Sequence, residues 1–177
     1  MRVINPQASA LVERCQSTGI TVATAESLTA GLCAATIAEV PGASAVLRGG
    51  VIVYATELKE TLAGVDAQLL DTEGPVSSAV AAALARGAAE GCGATLGIGI
   101  TGVAGPEPQD GHPVGEVYVA VVHPGGESVR CIQDEYEDLV HKGVLNDLDP
   151  EEVRARVRSL AVDCALFDAL RLTDRVH

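Results

Sequence analysis

Residues Ala25-Glu26-Ser27-Leu28-Thr29-Ala30-Gly31 carry the polar groups most able to do chemistry in this 177-residue chain. They stand between the apolar run Ile20-Thr21-Val22-Ala23 and the helical pattern Leu32-Cys33-Ala34-Ala35-Thr36-Ile37-Ala38. A serine at a strand-to-helix turn lies beside backbone N–H groups without intrahelical partners and beside the positive end of the helix dipole. Such a setting suits a nucleophile with an oxyanion site, or an anion cradle. The competing reading is that Ser27 or Thr29 only caps the helix. Two further strand ends bear on the choice. Tyr54 closes Val51-Ile52-Val53, with Lys59 one helical turn beyond, and Thr101 closes Leu96-Gly97-Ile98-Gly99-Ile100. Ligands of open α/β sheets gather at the carboxyl ends of strands, so Ser27, Tyr54 and Thr101 meet in one crevice if their strands are parallel neighbours. A lysine drawn out of water has a lowered pKa and serves as a general base toward serine.

The elements that must hold these groups alternate. Asn5-Pro6 starts a helix closed by Gly19, and residues 20–25 form a short buried strand. Helix 28–40 ends at Pro41-Gly42, strand 46–54 follows, and a short helix covers 57–63. The alanine-rich helix 77–90 packs closely on a neighbour, most simply a sheet. Strand 94–101 alternates glycine with Leu96, Ile98 and Ile100, which marks close approach of backbone or ligand. After the loop 102–113 come strand 114–122, a turn at Pro124-Gly125-Gly126 and a hairpin partner over 127–132. Residues 134–149 read as acidic and irregular, and Asp149-Pro150-Glu151-Glu152 opens a last helix. This order predicts an α/β fold, a three-layer α/β/α domain with a mixed, mostly parallel sheet, spanning residues 1–177 as one domain.

Composition narrows the function. Lys and Arg number 12 against 24 Asp and Glu, a formal charge of −12, which opposes binding to nucleic acid or anionic membranes. One Phe, three Tyr and no Trp leave no platform for stacking single-stranded nucleic acid. Five scattered cysteines without a C-x-x-C pair fit buried small side chains in a reducing compartment, and the four histidines form no metal cluster. Mean hydropathy is +0.26, yet no run of eighteen apolar residues occurs and Met1-Arg2-Val3-Ile4-Asn5-Pro6 lacks a signal-peptide core. A cytoplasmic protein is expected. Gly99-Ile100-Thr101-Gly102-Val103-Ala104-Gly105-Pro106 is neither a P-loop nor a dinucleotide fingerprint.

Five ordered blocks resemble the CinA C-terminal domain family. They are Ala25 to Gly31, Gly49-Gly50-Val51 with Tyr54 and Lys59, Gly74-Pro75-Val76-Ser77, Gly99 to Pro106, and Pro113-Val114-Gly115-Glu116-Val117-Tyr118. That family includes nicotinamide-nucleotide amidohydrolases, which convert nicotinamide mononucleotide and water to nicotinate mononucleotide and ammonia in pyridine-nucleotide salvage. The resemblance implies Ser27 as nucleophile, Lys59 as base, Tyr54 as a proton-transfer partner, and Glu26 and Thr101 as orienting groups. Backbone at Leu28, Thr29, Ala30 and Gly31, and at Gly102 and Gly105, would bind substrate. It implies no metal and no cofactor, a homo-oligomer, a small nucleotide as ligand, and a form lacking the N-terminal companion domain. The chain departs from the family at Ala30, where glycine is usual, at His112, where lysine is usual, and at Pro150, where an arginine suited to phosphate is usual. Arg48, Arg130 and Lys142 are the candidate replacements. The rival expectations are a non-catalytic nucleotide-binding or interaction module, and an amidase for another amide.

Overall fold

The computed structural model describes residues 4–175, so the reading of Met1-Arg2-Val3 lies outside it. Thirteen residues, Pro6–Thr18, form α1, capped by the Asn5 side chain on the Gln7 and Ala8 N–H groups and closed by Gly19 at φ +71°. Then follow β1 (Val22–Glu26), α2 (Leu32–Ala38), β2 (Leu47–Ile52), α3 (Thr56–Thr61), α4 (Ala67–Glu73), α5 (Ser78–Cys92), β3 (Leu96–Gly102), β4 (Val117–His123), β5 (Gly126–Cys131), α6 (Gln133–His141) and α7 (Pro150–Arg175), with a 3₁₀ turn at Ala43–Ala45.

The sheet runs β2-β1-β3-β4-β5. β1 is parallel to both β2 and β3, whereas β4 and β5 form an antiparallel hairpin added to β3. Strands covered on both faces must be apolar throughout. Every residue of β1 is buried, as are Leu96 to Thr101 of β3, while edge strand β2 alternates half-buried and exposed residues. The crossover from β1 to β2 moves one way along the sheet and that from β2 to β3 the other way. Right-handed crossovers then put α2 and α5 on opposite faces and open a switch-point crevice at the carboxyl ends of β1 and β3.

One face carries α1, α2 and α7 over a core that includes Leu11, Ile37, Ile98, Val119 and Leu166. The other carries α5, whose backbone lies directly on the sheet. A Cβ at Gly97 would stand 1.8 Å from the Ala85 carbonyl oxygen, and one at Gly99 would stand 2.2 Å from that of Ala81. The glycine alternation in β3 therefore answers helix backbone, not ligand. The Ser77 hydroxyl accepts the Val80 N–H and caps α5.

Three elements differ from expectation. Residues 133–141 of the acidic stretch are helical, with Asp134 and Glu135 in the first turn, where acids favour a helix. Helix α4 begins on an Asp66 cap in a segment to which the sequence pattern assigned no element. And α2 starts at Leu32, not at 28, because residues 28–31 make a turn in which Ala30 takes φ +50° and Gly31 φ +93°. Ser27 is thus not the helix cap, which is the alternative its sequence position left open. Gly31 is.

Candidate active site

The ends of β1, β2 and β3 are tied together by backbone: the Ser27 N–H donates to Ile100 at 2.9 Å, and the Val53 N–H donates to Glu26 at 2.9 Å. Between them opens a cleft lined by Ser27, Leu28, Tyr54, Lys59, Thr101 and Gly105, among others, with about 540 Å³ of space including its mouth. The enclosed part is about 90 Å³, smaller than the ~300–1,000 Å³ typical of small-molecule sites.

Lys59 reaches this cleft from α3. It is 2% exposed, and its Nζ donates to Ser27 Oγ at 3.1 Å and to the Val53 carbonyl at 3.0 Å. No carboxylate pairs with it among the described residues. Burial penalises the ammonium, and although the Glu57 carboxylate pulls the other way, the pKa falls from 10.5 to about 8. A pKa near neutrality is what a general base needs to accept a hydroxyl proton. Ser27 itself is 8% exposed, recessed but reachable from the cleft.

Other predicted residues lie elsewhere or engage differently. Tyr54 is 55% exposed at the mouth, and its hydroxyl accepts from Arg154 at 2.6 Å, with no hydrogen bond to Ser27 or Lys59. Thr101 Oγ1 lines the cleft but donates to the Pro75 carbonyl at 2.7 Å, pinning the entry to α5. Gly102 and Gly105 are in the lining as expected. Glu26 is not. Its fully buried carboxylate accepts from the N–H groups of Gly31, Cys33 and Ala34 at 2.9–3.0 Å, and so occupies the start of α2. With Gly31 it faces a separate small recess against β2. Thr29 is fully buried outside the cleft and Ala30 is exposed, its N–H already donating to the Ser27 carbonyl. An anion at the α2 terminus would displace a carboxylate already there.

The cation of this cleft is one that the sequence reading did not name. Arg154, in the second turn of α7, donates to the Gly105 carbonyl and to Tyr54, joining the third strand-end loop to the second. The three candidates for its role lie away from the cleft. Arg48 donates to the Cys92 carbonyl at 3.4 Å, Arg130 is paired with Asp168 and Glu135, and Lys142 is paired with Asp138. A sequence signal existed: Arg154, Arg156 and Arg158 crowd the early turns of α7, where the helix dipole favours acids. No group of three or more His, Cys, Asp or Glu among the described residues is arranged to hold a metal ion, and no described helix is long and apolar enough to cross a membrane.

Comparison with known proteins agrees with this architecture. The family model of the CinA C-terminal domain matches residues 4–167, and the chain belongs to that family. It is 50% identical over 113 residues to a CinA-like protein of Frankia casuarinae, covering 64% of this chain and 26% of that protein. It is 44% identical over 117 residues to a putative competence-damage inducible protein of Geobacillus kaustophilus, covering 66% of this chain and 28% of that one. The chain thus spans about a quarter of the length of these curated relatives. A competence-damaged protein (CinA) superfamily protein of Escherichia coli superposes with a TM-score of 0.81 at 29% identity, covering 96% of this chain and 90% of its own. A competence/damage inducible protein of Agrobacterium tumefaciens does so at 0.72 and 30%, covering 94% and 99%.

Proposed function

We propose that this domain is a serine amidohydrolase that deamidates nicotinamide mononucleotide to nicotinate mononucleotide and ammonia. One observation carries the reading: a buried lysine with a lowered pKa, with no carboxylate partner among the described residues, 3.1 Å from the hydroxyl of a serine at the floor of a cleft.

In the proposed cycle neutral Lys59 takes the Ser27 proton as Oγ attacks the carboxamide carbon. The tetrahedral oxyanion collapses, the C–N bond breaks, and the Lys59 ammonium returns the proton to nitrogen, which leaves as ammonia. A water molecule then attacks the ester, giving its proton to Lys59, and Ser27 departs reprotonated. Lys59 makes both transfers directly, since Tyr54 is engaged with Arg154 at the mouth. Arg154 takes the 5′-phosphate with its remaining N–H donors, because a guanidinium offers five. Glu107 and Gln109, also in the lining, are acceptors for ribose hydroxyls.

Ammonia release should be followed with nicotinamide mononucleotide, nicotinamide riboside, nicotinamide and asparagine. Turnover of the mononucleotide well above the other three supports the reading. Preferential turnover of an unphosphorylated amide would replace the assigned substrate, and none at all would remove the enzymatic reading.

A further inference from the structure

Residues 103–116 link β3 to β4 beside the cleft, which Gly105, Glu107 and Gln109 help to line. At the base of this loop the Val103 N–H donates to the Glu116 carbonyl, and the Gly115 N–H to the Val103 carbonyl, both at 3.0 Å. At its tip the Gln109 N–H donates to the His112 carbonyl at 3.0 Å and the His112 N–H to the Gln109 carbonyl at 2.8 Å. Between them Asp110 and Gly111 take φ +51° and +85°. Positive φ at both central residues is the type I′ hairpin turn, which Asp-Gly favours. Of residues 106–113, only His112 is not exposed. Its ring makes the one side-chain hydrogen bond or ion pair of that segment among the described residues, from Nδ1 to Glu116 Oε1 at 3.0 Å. Glu116 is in turn fixed to the sheet, because the Tyr118 hydroxyl of β4 donates to the same oxygen at 3.0 Å. Burial, with the Glu116 carboxylate adding to it, pushes the Tyr118 phenol up to about 12, so Tyr118 remains a donor at neutral pH.

We propose that His112 is a positioning residue, which docks the Asp110–Gly111 hairpin on Glu116 and so presents Gln109 to the ribose of the substrate. The proposal rests on the amidohydrolase reading above, which gives Gln109 a sugar hydroxyl to bind. Directly paired residues of an antiparallel ribbon project from the same face. His112 and Gln109 are such a pair, so the face that His112 lays on Glu116 is the face that carries Gln109 into the cleft lining. The two backbone bonds between them keep the hairpin's shape without attaching it to the domain. Beyond the chain ends at the base, attachment passes through one carboxylate: Tyr118 to Glu116, Glu116 to His112, and His112 across the turn to Gln109. An imidazole can donate from Nδ1 whether neutral or protonated, so the contact holds across neutral pH.

The test compares His112→Ala, His112→Asn, Gln109→Ala and the His112→Ala/Gln109→Ala double variant, with melting temperature to establish folding. Asn sets an amide donor near the position of Nδ1. A neutral hydrogen bond contributes about two- to tenfold in affinity, so Gln109→Ala should raise KM for nicotinamide mononucleotide by that factor. Its kcat should stay within about twofold, the signature of a lost binding contact. His112→Ala should raise KM to a similar extent, and His112→Asn should recover most of the loss. In the Gln109→Ala background, His112→Ala should change KM by less than about 1.5-fold, because it acts through Gln109. Glu116→Ala, which removes the acceptor, should reproduce the KM of His112→Ala and stands in for it if that variant does not fold. Wild-type KM in folded His112→Ala, Glu116→Ala or Gln109→Ala overturns the proposal and leaves the amidohydrolase reading intact. So do KM effects that multiply in the double variant, or a His112→Asn no better than His112→Ala. A wild-type protein inactive on every amide removes the amidohydrolase reading and this proposal with it.

Discussion

Replacing Lys59 by methionine, similar in length and uncharged, should change the pH dependence of stability in a calculable way. Lys59 has a pKa of about 8 in the folded protein against 10.5 for the ordinary group. Between those values the unfolded chain binds more protons than the native one, so native stability rises with pH across that window. Below pH 8 both states are protonated and the full cost of the buried ammonium is present. Carrying the two pKa values through the linkage relation, wild type should gain about 2.5 kcal/mol relative to Lys59→Met between pH 7 and pH 10. Contributions from buried Cys15 and Cys33 and half-buried Tyr118, whose pKa values are raised, are common to both proteins and cancel in the difference. Urea denaturation at half-unit pH steps measures it, with equal m-values as the control. A wild-type-minus-variant difference that stays flat from pH 7 to 10 would show that Lys59 has an ordinary pKa, and the base assignment would fall.

The same titration should shape catalysis, with kcat/KM rising tenfold per pH unit below about 8 and levelling above it, as neutral Lys59 becomes available; a profile flat from pH 6 to 9 speaks against a lysine base. Ser27→Ala should abolish turnover while shifting stability by no more than about 1 kcal/mol, since the hydroxyl caps no helix. Arg154→Ala should raise KM for the mononucleotide at least tenfold, leave that for the riboside nearly unchanged, and weaken the dependence of KM on salt; equal effects on both substrates would place the phosphate elsewhere. Gly99→Ala should destabilise the fold by about 3 kcal/mol or more in thermal melts, because its Cβ would meet α5 backbone at 2.2 Å.

Legibility in the sequence followed the range of the interactions. Helix α1, with its Asn5 cap and Gly19 stop, and α5, with its Ser77 cap, rest on contacts within five residues, and both were readable. So was the meeting of Ser27, Lys59, Tyr54 and Thr101 at one cleft, because strand ends and the switch-point rule place them there. What they do there was less readable. Glu26 sits beside Ser27 in sequence yet turns to the α2 amides, because alternate residues of a strand point to opposite faces. Arg154 and Arg158 act across 49 to 130 residues, on a helix whose packing over the serine turn leaves no local trace. The start of α2 was displaced by a turn that places Ala30 at φ +50°, a conformation its residue type does not advertise.

Acid-quenched single-turnover samples, digested and read by mass spectrometry, test the central claim most directly. With nicotinamide mononucleotide, the peptide containing Ser27 should carry the acyl group of nicotinate mononucleotide, in a form that decays as free acid appears and is missing from Ser27→Ala. Steady ammonia release with no acyl mass on that peptide, or Ser27→Ala turning over at the wild-type rate, would contradict Ser27 as the nucleophile.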